Sequence, residues 1–256
     1  MEVERSDYRP GPGFNLSRNQ EENRHSCRIS AINGPGRKDS LFRYRSQTMK
    51  LIAIADTHGL HRSLEIPDGD VLIHAGDLTR HGSLDDVLEF NEFLGTLPHP
   101  HKIVIAGNHD LCFENHRKAC EELLTNCTYL QDQEVIIDGV KFYGSPWQPW
   151  FYDWAFNLER GPEIRAKWEL IPEDTDVLIT HGPPHGIGDL TTRGDKTGCQ
   201  DLLEVIKEIT PKLHIFGHIH EGYGVSSNGM SAFINASTCD QLYQPVNPPI
   251  EHELKV

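Results

Sequence analysis

The feature that most constrains this fold is where the apolar runs stop. Short β-branched runs at 50–55 (KLIAIA), 70–75 (DVLIHA), 102–106 (KIVIA), 176–180 (DVLIT) and 213–217 (LHIFG) each lead into a residue able to bind a metal. The endings are Asp56-Thr57-His58, Gly76-Asp77, Gly107-Asn108-His109-Asp110, His181-Gly182 and His218-Ile219-His220. All lie on the C-terminal side of a strand-like run, and open α/β sheets bind ligands beyond the carboxyl ends of their strands. Five such endings on one edge would gather two Asp, one Asn and several His into one pocket. Imidazole and oxygen donors without a thiolate suit borderline divalent metals.

Further strand runs fall at 134–138, 140–144, 231–236 and 250–254, and Asp138-Gly139 marks a hairpin turn between the first two. Helical spacing places Leu84, Val87, Leu88, Phe90 and Leu94 on one helix, with Ser83 as its N-cap and Asp85 and Asp86 in its first turn. Helices are also expected over 116–125 and 199–209. Strands alternate with helices first and then cluster as hairpins, which predicts an α/β sandwich with mixed sheets rather than a doubly wound parallel sheet.

Residues 1–48 carry nine Lys+Arg against six Asp+Glu, contain Pro-Gly-Pro-Gly at 10–13, and show no apolar periodicity. They are expected to form a disordered or loosely docked extension, with the domain at 49–256 and Met49 resembling a natural start. The whole chain has a formal charge of −14, which argues against a polynucleotide track. No run approaches the length of a membrane span, and the N-terminal stretch lacks the apolar core of a secretory signal. Six cysteines without a C-x-x-C pair suggest free thiols and a cytoplasmic protein.

Within Asp56-x-His58 and His218-x-His220 the spacing of two would aim both members to one side of an extended chain. Gly76, Gly107, Gly182 and Gly217 beside these donors suggest tight turns or close backbone approach. The histidines at 74, 81, 99, 101, 116, 185, 214 and 252 read as loop or surface residues.

In order and complete, these endings match the signature D-x-H…GD…GNH(D/E)…H…GHxH, and the chain resembles the calcineurin-like metallophosphoesterase superfamily. THGPP (180–184), KLHIFGHIHEGYG (212–224), INASTC (234–239), PWxPWF (146–151) and NPPI (247–250) are similar to the metallophosphoesterase-domain-containing subfamily, related to class III cyclic nucleotide phosphodiesterases. The resemblance implies a four-layer α/β sandwich, two mixed sheets flanked by helices, and two divalent cations about 3.5–4 Å apart. Mn²⁺ is the expected metal, with Fe/Zn, Co²⁺ and Mg²⁺ as alternatives. By motif position Asp56, His58 and His220 would hold one cation, Asn108, His181 and His218 the other, and Asp77 would bridge them. His109 would act on the phosphoryl group or the leaving alkoxide without binding metal, while a metal-bridging hydroxide attacks phosphorus. Asp110 would orient its surroundings from behind.

Where phosphoprotein phosphatases carry GDxVDRG, this chain reads Gly76-Asp77-Leu78-Thr79-Arg80-His81-Gly82, so the Asp that orients the catalytic His is replaced by Arg80. Some animal members of the subfamily have Gly at the first His of GHxH; here it is His218. The expectation is a phosphodiesterase for small, nucleotide-type diesters. The alternatives are a phosphomonoesterase on the same centre or a nucleotide-binding scaffold with slow turnover. In the aromatic segment 146–156, Trp147, Trp150 or Phe151 could stack on a base, against packing as a lid on the core. Arg193 and Lys196 could approach phosphate, although a solvated loop is the commoner fate.

Overall fold

The computed structural model describes residues 48–256, so the expectation for the N-terminal extension lies, apart from Thr48, outside the described residues. Strands β1 (Thr48–Ile54), β2 (Val71–Ala75), β3 (His101–Ile105) and β4 (Thr128–Tyr129) run parallel, and β13 (Ile250–Lys255) pairs antiparallel with β1 to close that sheet. A second sheet comes from β5 (Gln133–Ile137), β6 (Val140–Ser145), β9 (Val177–Thr180), β10 (Leu213–Phe216), β11 (Gly224–Ser227) and β12 (Ala232–Asn235). Its order is β11-β12-β10-β9-β6-β5, with β6, β9, β10 and β12 parallel and an antiparallel strand at either edge. The short pair β7 (Gln148–Pro149) and β8 (Asn157–Leu158) frames the aromatic segment.

Alternation along the strands produces four layers. In β1, Leu51 and Ala53 face the other sheet, meeting Phe142, Ile179, Ile215 and Ile234 in a buried cluster between the sheets. Their neighbours Ile52 and Ile54 face outward onto helices α1 (Leu84–Thr96), α2 (Leu111–Asn115) and α3 (Arg117–Leu123), with Phe90 and Phe113 fully buried among them. On the far face Tyr143, Leu178 and Phe216 pack on α4 (Pro162–Trp168) and α5 (Gln200–Ile209) through Ile164, Trp168, Leu202 and Ile206. Burying each large apolar side chain contributes roughly 1.5–3 kcal/mol, so these three interfaces give the site a stiff platform.

The helix starts follow local chemistry. Ser83 Oγ accepts from the Asp86 N–H at 3.1 Å, while Asp86 accepts from the Ser83 N–H, completing a capping box. Pro162 opens α4 directly after Gly161, whose φ of 89° turns the chain into the helix. The expected helix at 116–125 is shorter at both ends, and α2 precedes it across a break at His116. Two histidines depart from the surface or loop reading: His74 and His214 are buried within strands, while His99, also buried, does lie in a loop. His74 and His214 lie within β2 and β10, whose outer faces are covered by helices, so no position in those strands meets water.

Candidate metal centre

The C-terminal ends of β1, β2, β3, β9 and β10 meet at one edge, where a parallel bridge between Ala55 and Ser237 joins the two sheets. The structure brings together all seven donors: Asp56, His58, Asp77, Asn108, His181, His218 and His220. Asp56 Oδ1 lies 3.4 Å from His220 Nε2, which lies 3.3 Å from His58 Nε2. Asn108 Oδ1 lies 2.8 Å from both His181 Nε2 and His218 Nδ1. Asp77 stands between the groups, with Oδ2 at 3.9 Å from His58 Nε2 and Oδ1 at 3.5 Å from His181 Nε2.

Convergence comes from turns rather than from the alternation of an extended strand. Asp56, His58, Asp77 and His218 all have left-handed backbone, with φ of 52°, 44°, 57° and 68°. Each costs roughly 1–2 kcal/mol for an L-residue, a strain that the packed platform holds. Glycine is required at three neighbouring positions: Gly76 has a φ of 97°, and a Cβ there would lie 2.5 Å from His181 Nδ1. A Cβ on Gly107 would collide with the Asp77 carboxylate, and one on Gly217 with that of Asp56. Gly182 is not crowded in this way.

Hydrogen bonds behind the donors settle which nitrogen faces inward. His181 Nδ1–H donates to the Ala75 carbonyl at 3.0 Å, and His220 Nδ1–H donates to the Asp240 carbonyl at 2.8 Å. Their Nε2 lone pairs therefore point at the Asn108 oxygen and the His58 ring, a convergence of acceptors that only a proton or a cation relieves. Burial disfavours charge on His181 and His220, but the adjacent Asp77 and Asp56 outweigh it and raise each to about 9. Asp56 is held below the usual carboxylate range, since His220 overrides the opposing effect of burial. Burial pushes His58 down to about 4 and His218 to about 3. Asp56 keeps its orientation by accepting from Ser237 Oγ at 2.8 Å and from the His218 N–H. Two buried carboxylates, four imidazoles and an amide oxygen with opposed lone pairs fit divalent cations.

His109 sits beside this set. Its Nδ1–H donates to the Arg80 carbonyl at 2.9 Å, and its N–H donates to Asp77 Oδ1 at 2.8 Å. The partner of His109 Nδ1 is thus a backbone carbonyl rather than a side chain. Asp110 is buried and accepts from the N–H groups of Leu78, Thr79 and Gly107 and from Thr79 Oγ1, which pins the loops carrying Asp77 and Asn108 to each other.

The aromatic residues divide. Trp147 is tied down: its Nε1–H donates to Asp132 at 2.9 Å, and Lys167 lies 4.4 Å over its ring. Trp150 and Phe151 are exposed and line a cavity of about 460 Å³ with Arg160, Lys196 and His218. Phe151 meets the His218 ring edge-on at 5.6 Å. Two aromatics outside the three candidate stacking residues also border the centre. Trp154 stacks on His109 with ring centroids 4.2 Å apart, and Tyr243 meets His58 edge-on at 4.7 Å. Tyr243 has a φ of 56°, and no local sequence pattern announces it.

A two-sheet sandwich with such donors on its joined strand ends defines a metallophosphoesterase, a class of phosphoester hydrolases that use divalent metals. The chain belongs to the calcineurin-like phosphoesterase family, whose model matches residues 49–222. It is 47% identical over 230 residues to the human metallophosphoesterase domain-containing protein 1, covering 80% of this chain and 71% of that one. A Caenorhabditis elegans UPF0046 protein is 43% identical over 217 residues, covering 79% and 74%. Among solved structures, TT1561 of Thermus thermophilus shares the fold at 14% identity and a TM-score of 0.51, covering 74% of this chain and 89% of that one. No helix among the described residues is long and apolar enough to cross a membrane.

Proposed function

We propose that the chain is a dinuclear phosphodiesterase acting on small, nucleotide-type diesters. The observation that carries this reading is Asp77, with one oxygen toward His58 and the other toward His181, between two groups of donors. When bound there, Mn²⁺ or a similar cation at each group would polarise the phosphoryl oxygens and acidify water. Asp56, His58 and His220 would hold one cation, and Asn108, His181 and His218 the other. His109 contributes from its Nε2: with Nδ1–H committed to Arg80, this nitrogen is the one available to hydrogen-bond a phosphoryl oxygen or to protonate the departing alkoxide.

The preference for a diester is supported by the cavity beside His218, which has room for a second substituent between Phe151, Trp150 and Lys196. A flat base could stack on Phe151 or Trp150, while Trp147 is occupied by Asp132 and Lys167. The described cysteines are free thiols, which supports a cytoplasmic location.

The test compares bis(p-nitrophenyl) phosphate with p-nitrophenyl phosphate on metal-stripped protein refilled with Mn²⁺. Diester cleavage that needs Mn²⁺ and is lost in His218→Gly is the expected result. A preference for the monoester would replace the reading with a phosphatase. Metal binding without turnover of either substrate would leave a nucleotide-binding protein. His109→Ala should keep both cations and lose roughly 10²–10⁴-fold in kcat; loss of metal in that variant would make His109 a ligand.

A further inference from the structure

We propose that Trp154 is the positioning residue for His109. The inference rests on the role given to His109 above. One hydrogen bond, from Nδ1 to the Arg80 carbonyl at 2.9 Å, does not fix an imidazole, because the ring still tilts about that contact. The His58 ring meets the imidazole edge-on with centroids 4.5 Å apart, and Trp154 restricts the remaining freedom. Its indole packs against the imidazole in a tilted stack, with centroids 4.2 Å apart and planes 30° from parallel. A ring held by Trp154 and at Nδ1 stays beside the centre, where a ring nitrogen of His109 lies within 4.8 Å of donor atoms of His58 and Asp77.

The segment that carries Trp154 is anchored next to His109. The Ala155 N–H donates to the Asn108 carbonyl at 3.1 Å, one residue before His109. Asn157 Nδ2 donates to the carbonyls of Trp154 at 2.9 Å and Tyr152 at 2.6 Å, and the Phe156 N–H donates to Glu114 at 3.0 Å. The segment after β7 is thus tied to the loop after β3 by backbone and side-chain bonds. Placement within about 0.5 Å and 10–20° is what a proton-transfer group needs from its supports. An aromatic in the 146–156 segment therefore has a task besides meeting substrate.

Three kinds of measurement test this on the full chain, refilled with Mn²⁺ for the kinetics. Trp154→Ala should lower kcat about tenfold, a fraction of the 10²–10⁴-fold attributed to acid–base groups, with KM changed less than twofold and metal content equal to wild type. Trp154→Phe should restore most of the rate, since a flat ring still covers the imidazole. In the His109→Ala background the tryptophan substitution should have no further effect. In the metal-free protein, where no paramagnetic ion broadens them, the NMR resonances of the His109 ring protons should be shifted upfield by the indole and should move downfield in Trp154→Ala, a signature that owes nothing to turnover. The inference is overturned if Trp154→Ala keeps wild-type kcat, if it raises KM instead, if it lowers kcat equally in the His109→Ala background, or if the ring protons show no shift. Full activity in His109→Ala alone would instead overturn the role of His109, which keeps the two failures apart.

Discussion

The two donor groups differ in how they carry charge. Asp56, His58 and His220 include their own carboxylate, whereas Asn108, His181 and His218 include none and draw on Asp77 between the groups, with Asp56 also within reach of His181. Both groups draw on both sheets: His220 and His218 follow β10 of the second sheet, while Asp56 and Asn108 follow β1 and β3 of the first. The difference teaches that a symmetric arrangement of strand ends need not give equal sites. Electrostatic attraction for a dication scales with the carboxylates near it, so the Asp56 group should hold its cation more tightly. The joint between the sheets is also the place where loss of either site would be felt.

The largest effect should come from the residue the two groups share. Asp77→Ala removes the carboxylate that stands between the two groups, and it frees the His109 N–H that Asp77 fixes. Metal-dependent turnover should fall by more than the roughly 10²–10³-fold typical of deleting a single electrostatic stabiliser. Metal analysis should show both cations depleted. An active variant with two cations would break the comparison at its centre.

The unshared members should separate the groups. His218→Gly should leave about one bound metal per chain, held by Asp56, His58 and His220. Asp56→Asn should weaken that group by roughly 10–100-fold while its neighbour keeps Asp77 and its own three donors. Chelator titration of the wild-type protein, followed by metal analysis at each step, should pass through a one-metal state. Simultaneous loss of both cations would show that Asp77 couples the groups more strongly than Asp56 distinguishes them.

Much of this centre was legible because its donors stand where apolar runs stop. KLIAIA and DVLIT are long enough in β-branched residues to read as buried strands, and Asp56 and His181 follow them directly. The turns were less legible. The spacing of Asp56 and His58 suggested an extended strand, but both adopt left-handed backbone, so they meet for a different reason. Helix α4 was missed although Gly161-Pro162 is a start signal; its seven residues are too short for clear periodicity. The two-residue strands β4, β7 and β8 have no periodicity to read. Trp154 and Tyr243 reach the centre through loop geometry, which tertiary packing decides. His74 and His214 were misread because histidine is usually a surface residue, yet each sits inside an apolar run that strands covered on both faces require.

Those two histidines allow the comparison to be sharpened with the smallest perturbation. His74 Nε2 lies 2.9 Å from Thr57 Oγ1, between Asp56 and His58, and so backs the first group. His214 Nε2 lies 2.8 Å from Thr180 Oγ1, next to His181, and backs the second. Thr180 donates its hydroxyl proton to the Gly182 carbonyl, so His214 must be the donor to Thr180. Substitution by Ala should weaken metal at the backed group about tenfold, the low end for such supports, and leave the other nearly unchanged. Burial pushes both histidines down to about 3, below the ordinary value of 6.5 for an unfolded chain. Between these limits the unfolded chain binds more protons, so their contribution is present above pH 6.5 and is lost as pH falls toward 3. The slope is about 1.4 kcal/mol per pH unit for each group. Denaturant unfolding of metal-free protein at pH 7 and pH 5 should therefore show less acid sensitivity in His74→Gln and His214→Gln, whose amides can still reach the threonines. Equal metal loss at both groups from either Ala variant would mean that the joint between the sheets, rather than each supporting histidine, sets the geometry of the donors.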